Sequence, residues 1–177
     1  DEKVAVVQAP QVSYNAGAFD DDGRYGEQGA FFNVRLPAQQ QHGADVRWCG
    51  STALLRVDAV TAVGGFSAGT VREELDTTVN LLTNGWRTVY HHQTVAVGLA
   101  PASPSAYQLQ QRRRALGGLQ VLTRRRLWSK KATPGLSTRN RLVLLSAAAE
   151  GLRGLATLLA FLIPVAVLLS GVTSSTA

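Results

Sequence analysis

Residues 71–90 read Val-Arg-Glu-Glu-Leu-Asp-Thr-Thr-Val-Asn-Leu-Leu-Thr-Asn-Gly-Trp-Arg-Thr-Val-Tyr. Leu75, Val79 and Leu82 recur at helical spacing on one face, so the pattern predicts a helix from Glu73 to Asn84. Gly85 stands where helices end on a left-handed residue. From Trp86 to Leu99 the chain alternates and is rich in β-branched and aromatic residues, which predicts one or two strands. Three carboxylates, Glu73, Glu74 and Asp76, crowd the first turn of this helix, where the macrodipole favours negative charge.

Working outward toward the N-terminus, Val46–Val57 is expected to be a strand broken by Cys49-Gly50-Ser51. A short helix over Asp58–Val63 follows, with Asp58 as N-cap and Gly64-Gly65-Phe66 as its end. Residues 31–47 predict a helix ending near Gln39–Gly43. Lys3–Ala9, closed by Pro10, reads as a buried strand. Residues 13–30 read as a loop. Asp20-Asp21-Asp22 within it lacks the spacing and closing glutamate of a calcium loop and is expected to be a solvated turn.

Toward the C-terminus, Ser103-Pro104 is a cap followed by proline at the first helical position, and the helix it starts should reach Arg125. Pro134-Gly135 breaks the chain, and a second helix from Ser137 leads into Leu155–Val172, an uncharged run of 18 residues. At about 1.5 Å per residue that run spans roughly 27 Å, close to the ~30 Å hydrocarbon core of a bilayer. A buried core helix of a soluble protein would read the same way. Pro164 is tolerated better in a membrane helix than in a soluble one.

Charge supports the membrane reading. Residues 1–100 carry 7 basic and 11 acidic side chains, whereas residues 101–177 carry 11 basic and 1 acidic. The whole chain of 177 residues has a net charge of +6. All the basic residues precede the apolar run, so the positive-inside rule places residues 1–150 in the cytoplasm. Arg124 and Arg125 are expected to face anionic headgroups, and their removal to leave turnover nearly intact. A nucleic-acid partner is not expected, because Trp128 alone interleaves the basic stretch. A hydrophobic fraction of 45% excludes a disordered chain, and one cysteine excludes an internal disulfide framework. The chain holds no methionine and starts at Asp1, as expected of a piece of a longer protein.

Three constellations could carry chemistry. The carboxylates at the start of the 73–84 helix either compensate the helix dipole or hold a general base beside a hydroxyl substrate. In Gln110-Gln111-Arg112-Arg113-Arg114, helical spacing puts Gln110 and Arg113/Arg114 on roughly one face. Arginine forks suit diphosphate oxygens, though a solvated basic face has the same pattern. Cys49 lacks a paired histidine and is a weak nucleophile candidate. His91-His92 has no helical metal-ligand spacing, and a strand would point the two apart.

The order of these pieces resembles the second half of the catalytic region of membrane-embedded family-2 glycosyltransferases of the cellulose synthase type. The residues carrying the resemblance are VAVVQAPQVSYN (4–15), RWCGSTALLRVDAVTAVGGF (47–66), TVREELDT (70–77), GWRTVYHHQTVAVGLAP (85–101), QQRRRALGGLQVL (110–122), and GLSTRNRL (135–142) with the apolar run. It implies an α/β, GT-A-like nucleotide-sugar transferase domain over 1–125, a basic interfacial segment with an amphipathic helix over 126–150 and a transmembrane helix over 151–172, in a multi-pass protein of the cell membrane.

The resemblance also implies site residues. Glu74 takes the place of the general base of the Thr-Glu-Asp motif, and Glu73 that of its Glu. Gln111 and Arg114 take the places of the Gln and Arg of Q-x-x-R-W that hold the donor diphosphate. Cys49, Gly50 and Ser51 would lie near the acceptor, with Trp48 as an aromatic surface. The carboxylates at the head of the 73–84 helix should face a cleft shared with Cys49-Gly50-Ser51. The partners implied are a nucleotide sugar such as a UDP-hexose, a polysaccharide or lipid-linked acceptor, and the membrane. The cofactor implied is Mg²⁺ or Mn²⁺, with no metal ligand in this chain and the Asp-x-Asp site upstream of residue 1, so that the fragment alone would be inactive.

The departures from the family pattern are Arg72 for its Thr, Glu74 for its Asp and Ala115 for its Trp, with Arg47-Trp48 for Phe-Phe. A base displaced by about 1 Å can lose on the order of 100-fold in rate. Two readings follow: an inverting, metal-dependent hexosyltransferase, or a non-catalytic membrane scaffold of the same fold.

Overall fold

A computed structural model describes residues 1–15, 17 and 27–170. Residues 16 and 18–26, with the Asp20–Asp22 turn, and the end of the apolar run after Ser170 lie outside the described residues.

The centre of the body is a three-stranded sheet in the order β3-β1-β4. Strand β1 (Val4–Gln8) runs antiparallel to β3 (Ala53–Leu55), with Val6 opposite Leu55 and Gln8 opposite Ala53. On its other side β1 runs parallel to β4 (Arg87–Tyr90), with Gln8 opposite Tyr90. A parallel neighbour requires a crossover, and helix α4 (Glu73–Thr83) lies on it, as the helix-then-strand reading of 71–90 expects. A second pair, β2 (Val12–Ser13) and β5 (Val97–Gly98), is parallel and flanks the first sheet in sequence.

The helical elements before β3 are α1 (Glu27–Ala30), a π-turn (Phe31–Arg35) and α2 (Leu36–Gln41), followed by Gly43 at φ 71°. Helix α3 (Val57–Ala62) starts one residue before Asp58, which therefore sits in the first turn rather than at the N-cap. Residues 46–49 are not a strand. Val46 N–H still donates to the Thr88 carbonyl at 3.2 Å, but beyond it side chains take over: Trp48 N–H donates to Thr78 Oγ1 at 3.1 Å and Cys49 N–H to Gln8 Oε1 at 2.8 Å. Buried backbone groups need partners, and these polar side chains supply them without a ladder.

Helix α5 (Pro104–Arg125) is capped by Ser103, whose hydroxyl accepts from Ala106 N–H at 3.2 Å. Helix α6 (Thr138–Ala148), a 3₁₀ turn (Ala149–Leu152) and α7 (Arg153–Leu169) complete the chain. One apolar cluster joins α4, α5 and α6 through Leu75, Val79, Leu82, Val121, Leu144, Ala147 and Ala148. Helix α5 approaches its neighbours closely: a methyl group at Gly118 would stand 2.5 Å from the Ala148 carbonyl, and one at Gly117 would stand 2.4 Å from Arg72 Cγ.

The basic segment is not simply a solvated face. Arg125 donates to Asp76, which is fully buried, and Arg124 donates to the Gly69 carbonyl at 2.7 Å. Arg141 is buried and donates to the carbonyls of Leu127, Ser129 and Thr133. The expectation that Arg124 and Arg125 serve only lipid headgroups is corrected accordingly: a fully buried carboxylate needs a paired cation, and Arg125 supplies it. The stretch leading through α6 and α7, Thr138–Leu169, is long and apolar enough to cross a membrane, and every residue of α7 is exposed.

Candidate active-site cleft

A cleft of about 510 Å³ opens where the 44–52 loop, the head of α4, the middle of α5 and the 3₁₀ turn before α7 meet. Its walls include Arg47, Cys49, Arg72, Glu74, Gln111 and Arg114, with Ala115, Glu150 and Gly151 at the end nearest the apolar helix. Sequence separations of up to about a hundred residues are thus closed at one place. Glu74 and Cys49, expected to share a cleft, do share it.

Glu74 reaches the cleft because it occupies the second position of α4, with the apolar face of the helix turned into the core. Its side chain is 14% exposed and accepts from Arg72 Nε at 3.0 Å. A methyl group at Gly50 would stand 3.5 Å from Glu74 Cγ, so the loop backbone lies directly against the carboxylate stem. Glu73, one residue earlier, is exposed and does not line the cleft. Asp76 points the other way, to Arg125.

Arg72 donates from Nη1 to the Ala147 carbonyl at 3.2 Å, and that nitrogen also stands 3.7 Å from Glu150 Oε2. Arg47 Nη2 stands 2.6 Å from Glu150 Oε1, and its guanidinium lies 4.5 Å over the Phe31 ring. Arg47 Nη1 is buried without a hydrogen-bond partner. Burial works against the ionised form of Glu150, but the charges and hydrogen bond of Arg47, and the charges of Arg72 and Arg153, outweigh it and hold its pKa low. Glu150 escaped the sequence reading, although it is the single acidic residue in the basic C-terminal part; that isolation was the available signal.

From α5, Gln110, Gln111, Arg112 and Arg114 reach the cleft, whereas Arg113 does not line it. Arg114 stays exposed to the solvent of the cleft; enclosure by the walls, then the charges of Arg72 and Arg47, lower its pKa. The local excess of positive charge makes the cleft a place for an anion. Cys49 lines it as a thiol: burial raises its pKa more than Arg47 and Arg72 lower it. Of the expected Cys49-Gly50-Ser51 group, Gly50 and Ser51 do not line it; the Ser51 hydroxyl donates to Oε1 of the lining residue Gln11 at 2.9 Å.

Trp48 is not in the cleft. It is 9% exposed, belongs to the core with Ala5, Val6, Ala59 and Leu81, and its ring lies 5.6 Å from that of Phe66. The His91 and His92 rings lie 5.4 Å apart instead of pointing away from each other, because β4 ends at Tyr90. Among the described residues no group of three or more His, Cys, Asp or Glu could hold a metal ion. Both carboxylates among the described lining residues are engaged by arginines, so these residues do not supply the hard-oxygen donor set a divalent cation takes.

The structure is a mixed α/β body with a cationic cleft beside an apolar helix long enough to cross a membrane. Comparison with known proteins makes the assignment more specific. The family model "Glycosyl transferase family group 2" matches residues 1–177. "Cellulose synthase 2" of Novacetimonas hansenii is 30% identical over 175 residues, covering 97% of this chain and 11% of that protein. "Cellulose synthase catalytic subunit [UDP-forming]" of Komagataeibacter sucrofermentans is 32% identical over 152 residues, covering 83% of this chain and 20% of that protein. The protein of the same description in Xanthomonas axonopodis pv. citri is 32% identical over 125 residues, covering 68% of this chain and 17% of that protein. The chain belongs to glycosyl transferase family group 2, and it spans no more than about a fifth of the length of these relatives.

Proposed function

We propose that this chain forms the acceptor and diphosphate side of a membrane hexosyltransferase, of GT-A-like fold, that moves a sugar from a nucleotide sugar such as a UDP-hexose to a growing polysaccharide or lipid-linked acceptor at the cytoplasmic face. The observation that carries this reading is the meeting of Glu74, Gln111 and Arg114 in one cleft. Glu74 takes the proton of the acceptor hydroxyl as that oxygen attacks the anomeric carbon. The bond to the departing diphosphate breaks on the opposite face, which inverts the anomeric centre. Gln111 and Arg114 hold the diphosphate, whose charge grows as it leaves, and fixed donors are worth most where charge develops.

Cys49, Gly50 and Ser51 bound the acceptor end, with Trp48 supporting their backbone from the core side. Glu73 serves the helix dipole. A divalent cation, Mg²⁺ or Mn²⁺, would neutralise the diphosphate, with ligands from outside this chain. Residues 126–150 form an interfacial segment seated on the catalytic body, and 151–172 span the bilayer.

The arginine-held Glu74 favours an enzyme over a scaffold, since a carboxylate oriented into an open cleft has no evident structural task. Membranes containing the full-length protein should release nucleotide from a UDP-hexose, and Glu74→Gln should abolish release by at least about 100-fold. Unchanged release in Glu74→Gln would sink the assignment of the base.

A further inference from the structure

The carboxylate of Glu150 is held from two sides. Arg47 Nη2 lies 2.6 Å from one oxygen and Arg72 Nη1 lies 3.7 Å from the other. The same Arg72 holds Glu74 through Nε at 3.0 Å. Arg72 is 6% exposed, its Nη1 also donates to the Ala147 carbonyl, and it packs against the α5 backbone at Gly117. Its guanidinium therefore has one orientation open to it. It stands where the family motif has a threonine, a side chain too short to reach either carboxylate.

We infer that Arg72 and Glu150 are positioning residues for Glu74: the guanidinium of Arg72, shared between two carboxylates and fixed from the turn at the head of the apolar helix, sets where the Glu74 carboxylate points. This inference rests on the reading of Glu74 as the base. A shared guanidinium orients a glutamate that is one methylene longer than the family's aspartate, and so offsets the freedom that the extra methylene brings.

The charged and titratable groups facing Glu74 across the cleft are Arg35, Arg47, Cys49, Tyr107, Arg112, Arg114 and Arg153, together with Glu150. Among the described lining residues Glu150 is the other carboxylate, so it alone competes with Glu74 for cationic partners. Replacing it by Gln removes a like charge and leaves Arg72 to Glu74. Glu74 then keeps its cationic partner but that guanidinium loses the second carboxylate that fixes it.

The test is kcat and the donor KM, measured separately, for nucleotide release from UDP-glucose by the full-length protein in membranes, with protein amount and melting temperature recorded for each variant. Glu150→Gln should lower kcat about tenfold with the donor KM nearly unchanged. Arg72→Gln should lower kcat at least as far, again with the donor KM nearly unchanged. Arg72→Lys should leave kcat low, because an ammonium does not fork between two carboxylates.

A merely structural role lowers the amount of folded protein or its melting temperature, not kcat per folded protein at constant KM, so an undiminished kcat in Glu150→Gln, or kcat recovered in Arg72→Lys, overturns the inference. Should Arg72→Gln fail to fold, Glu150→Gln and Arg72→Lys decide alone. Full turnover in Glu74→Gln overturns the assignment of the base and this inference with it. An inactive Glu74→Gln beside a Glu150→Gln of undiminished kcat overturns the positioning role only.

Discussion

Arg125, at the end of α5, donates to the carboxylate of Asp76, which is fully buried near the start of α4. One ion pair thus ties the helix carrying Gln111 and Arg114 to the helix carrying Glu74. Cluster geometry in the cleft depends on that tie, because the two helices otherwise meet through apolar side chains that slide more easily than an ion pair with hydrogen-bond geometry.

Removing Arg125 leaves a buried, unpaired carboxylate. Arg125→Ala should destabilise the protein by about 3 kcal/mol, and the double variant Asp76→Asn, Arg125→Ala should recover part of the loss. Thermal unfolding of the full-length protein in detergent measures both. A melting temperature unchanged in Arg125→Ala would mean that the pair is not formed in solution.

Gln111 and Arg114 lie in the cleft at the position proposed for the diphosphate. Arg114→Ala should raise the donor KM and lower kcat together, by about 10²–10³ in kcat/KM, and Arg114→Lys should recover little. Gln111→Ala should act in the same direction. The measurement is nucleotide release against UDP-hexose concentration; normal kinetics in Arg114→Ala would remove the diphosphate from this helix.

Gly151 belongs to the turn that joins α6 to α7, and a methyl group there would stand 2.5 Å from Ala115 Cβ and 2.6 Å from Ala115 Cα. Gly151→Ala must push the turn off α5, at a cost of about 1–3 kcal/mol. Because Glu150 is the preceding residue, the displaced turn should also lower turnover. A variant with wild-type stability and turnover would show that α5 and the turn are not packed this closely.

The low pKa of Glu150 has a consequence for acid stability. A carboxyl group with a folded pKa below its unfolded value stabilises the protein above the unfolded value, near 4.3, and that contribution is lost as pH falls through the folded value. Glu150→Gln should therefore flatten the fall of stability below about pH 4.5. Denaturant midpoints between about pH 3 and 7 test this, and parallel curves for the two proteins would exclude it.

The apolar helix should cross the bilayer with residues 1–150 on the cytoplasmic side. Cysteine introduced near residue 130 of the full-length protein should react with an impermeant maleimide only in inside-out vesicles. Labelling in intact cells would reverse the topology.

Local pattern was enough to place α4, α5 and α7, because their signals are carried by neighbours within a turn or two. Leu75, Val79 and Leu82 do face the core, Ser103 does cap α5, and the uncharged run is an exposed helix as far as Leu169. The five ordered blocks from residue 4 to residue 122 also pointed to the family to which the chain belongs. What local pattern could not decide is where backbone and charge find partners far away in sequence. The 46–49 segment has the composition of a strand but bonds to Gln8 and Thr78 side chains. Arg125 looks like a surface charge until Asp76 is seen beneath it, 49 residues away. Trp48 looks like a platform for a sugar and is core. Glu150 carries no motif; its meaning comes from Arg47 and Arg72, brought to it from 103 and 78 residues away by the packing of α5 and α6 onto α4. The residue types came from the sequence, and the pairing of their charges came only from the tertiary structure, because Coulombic partners are chosen by distance in space.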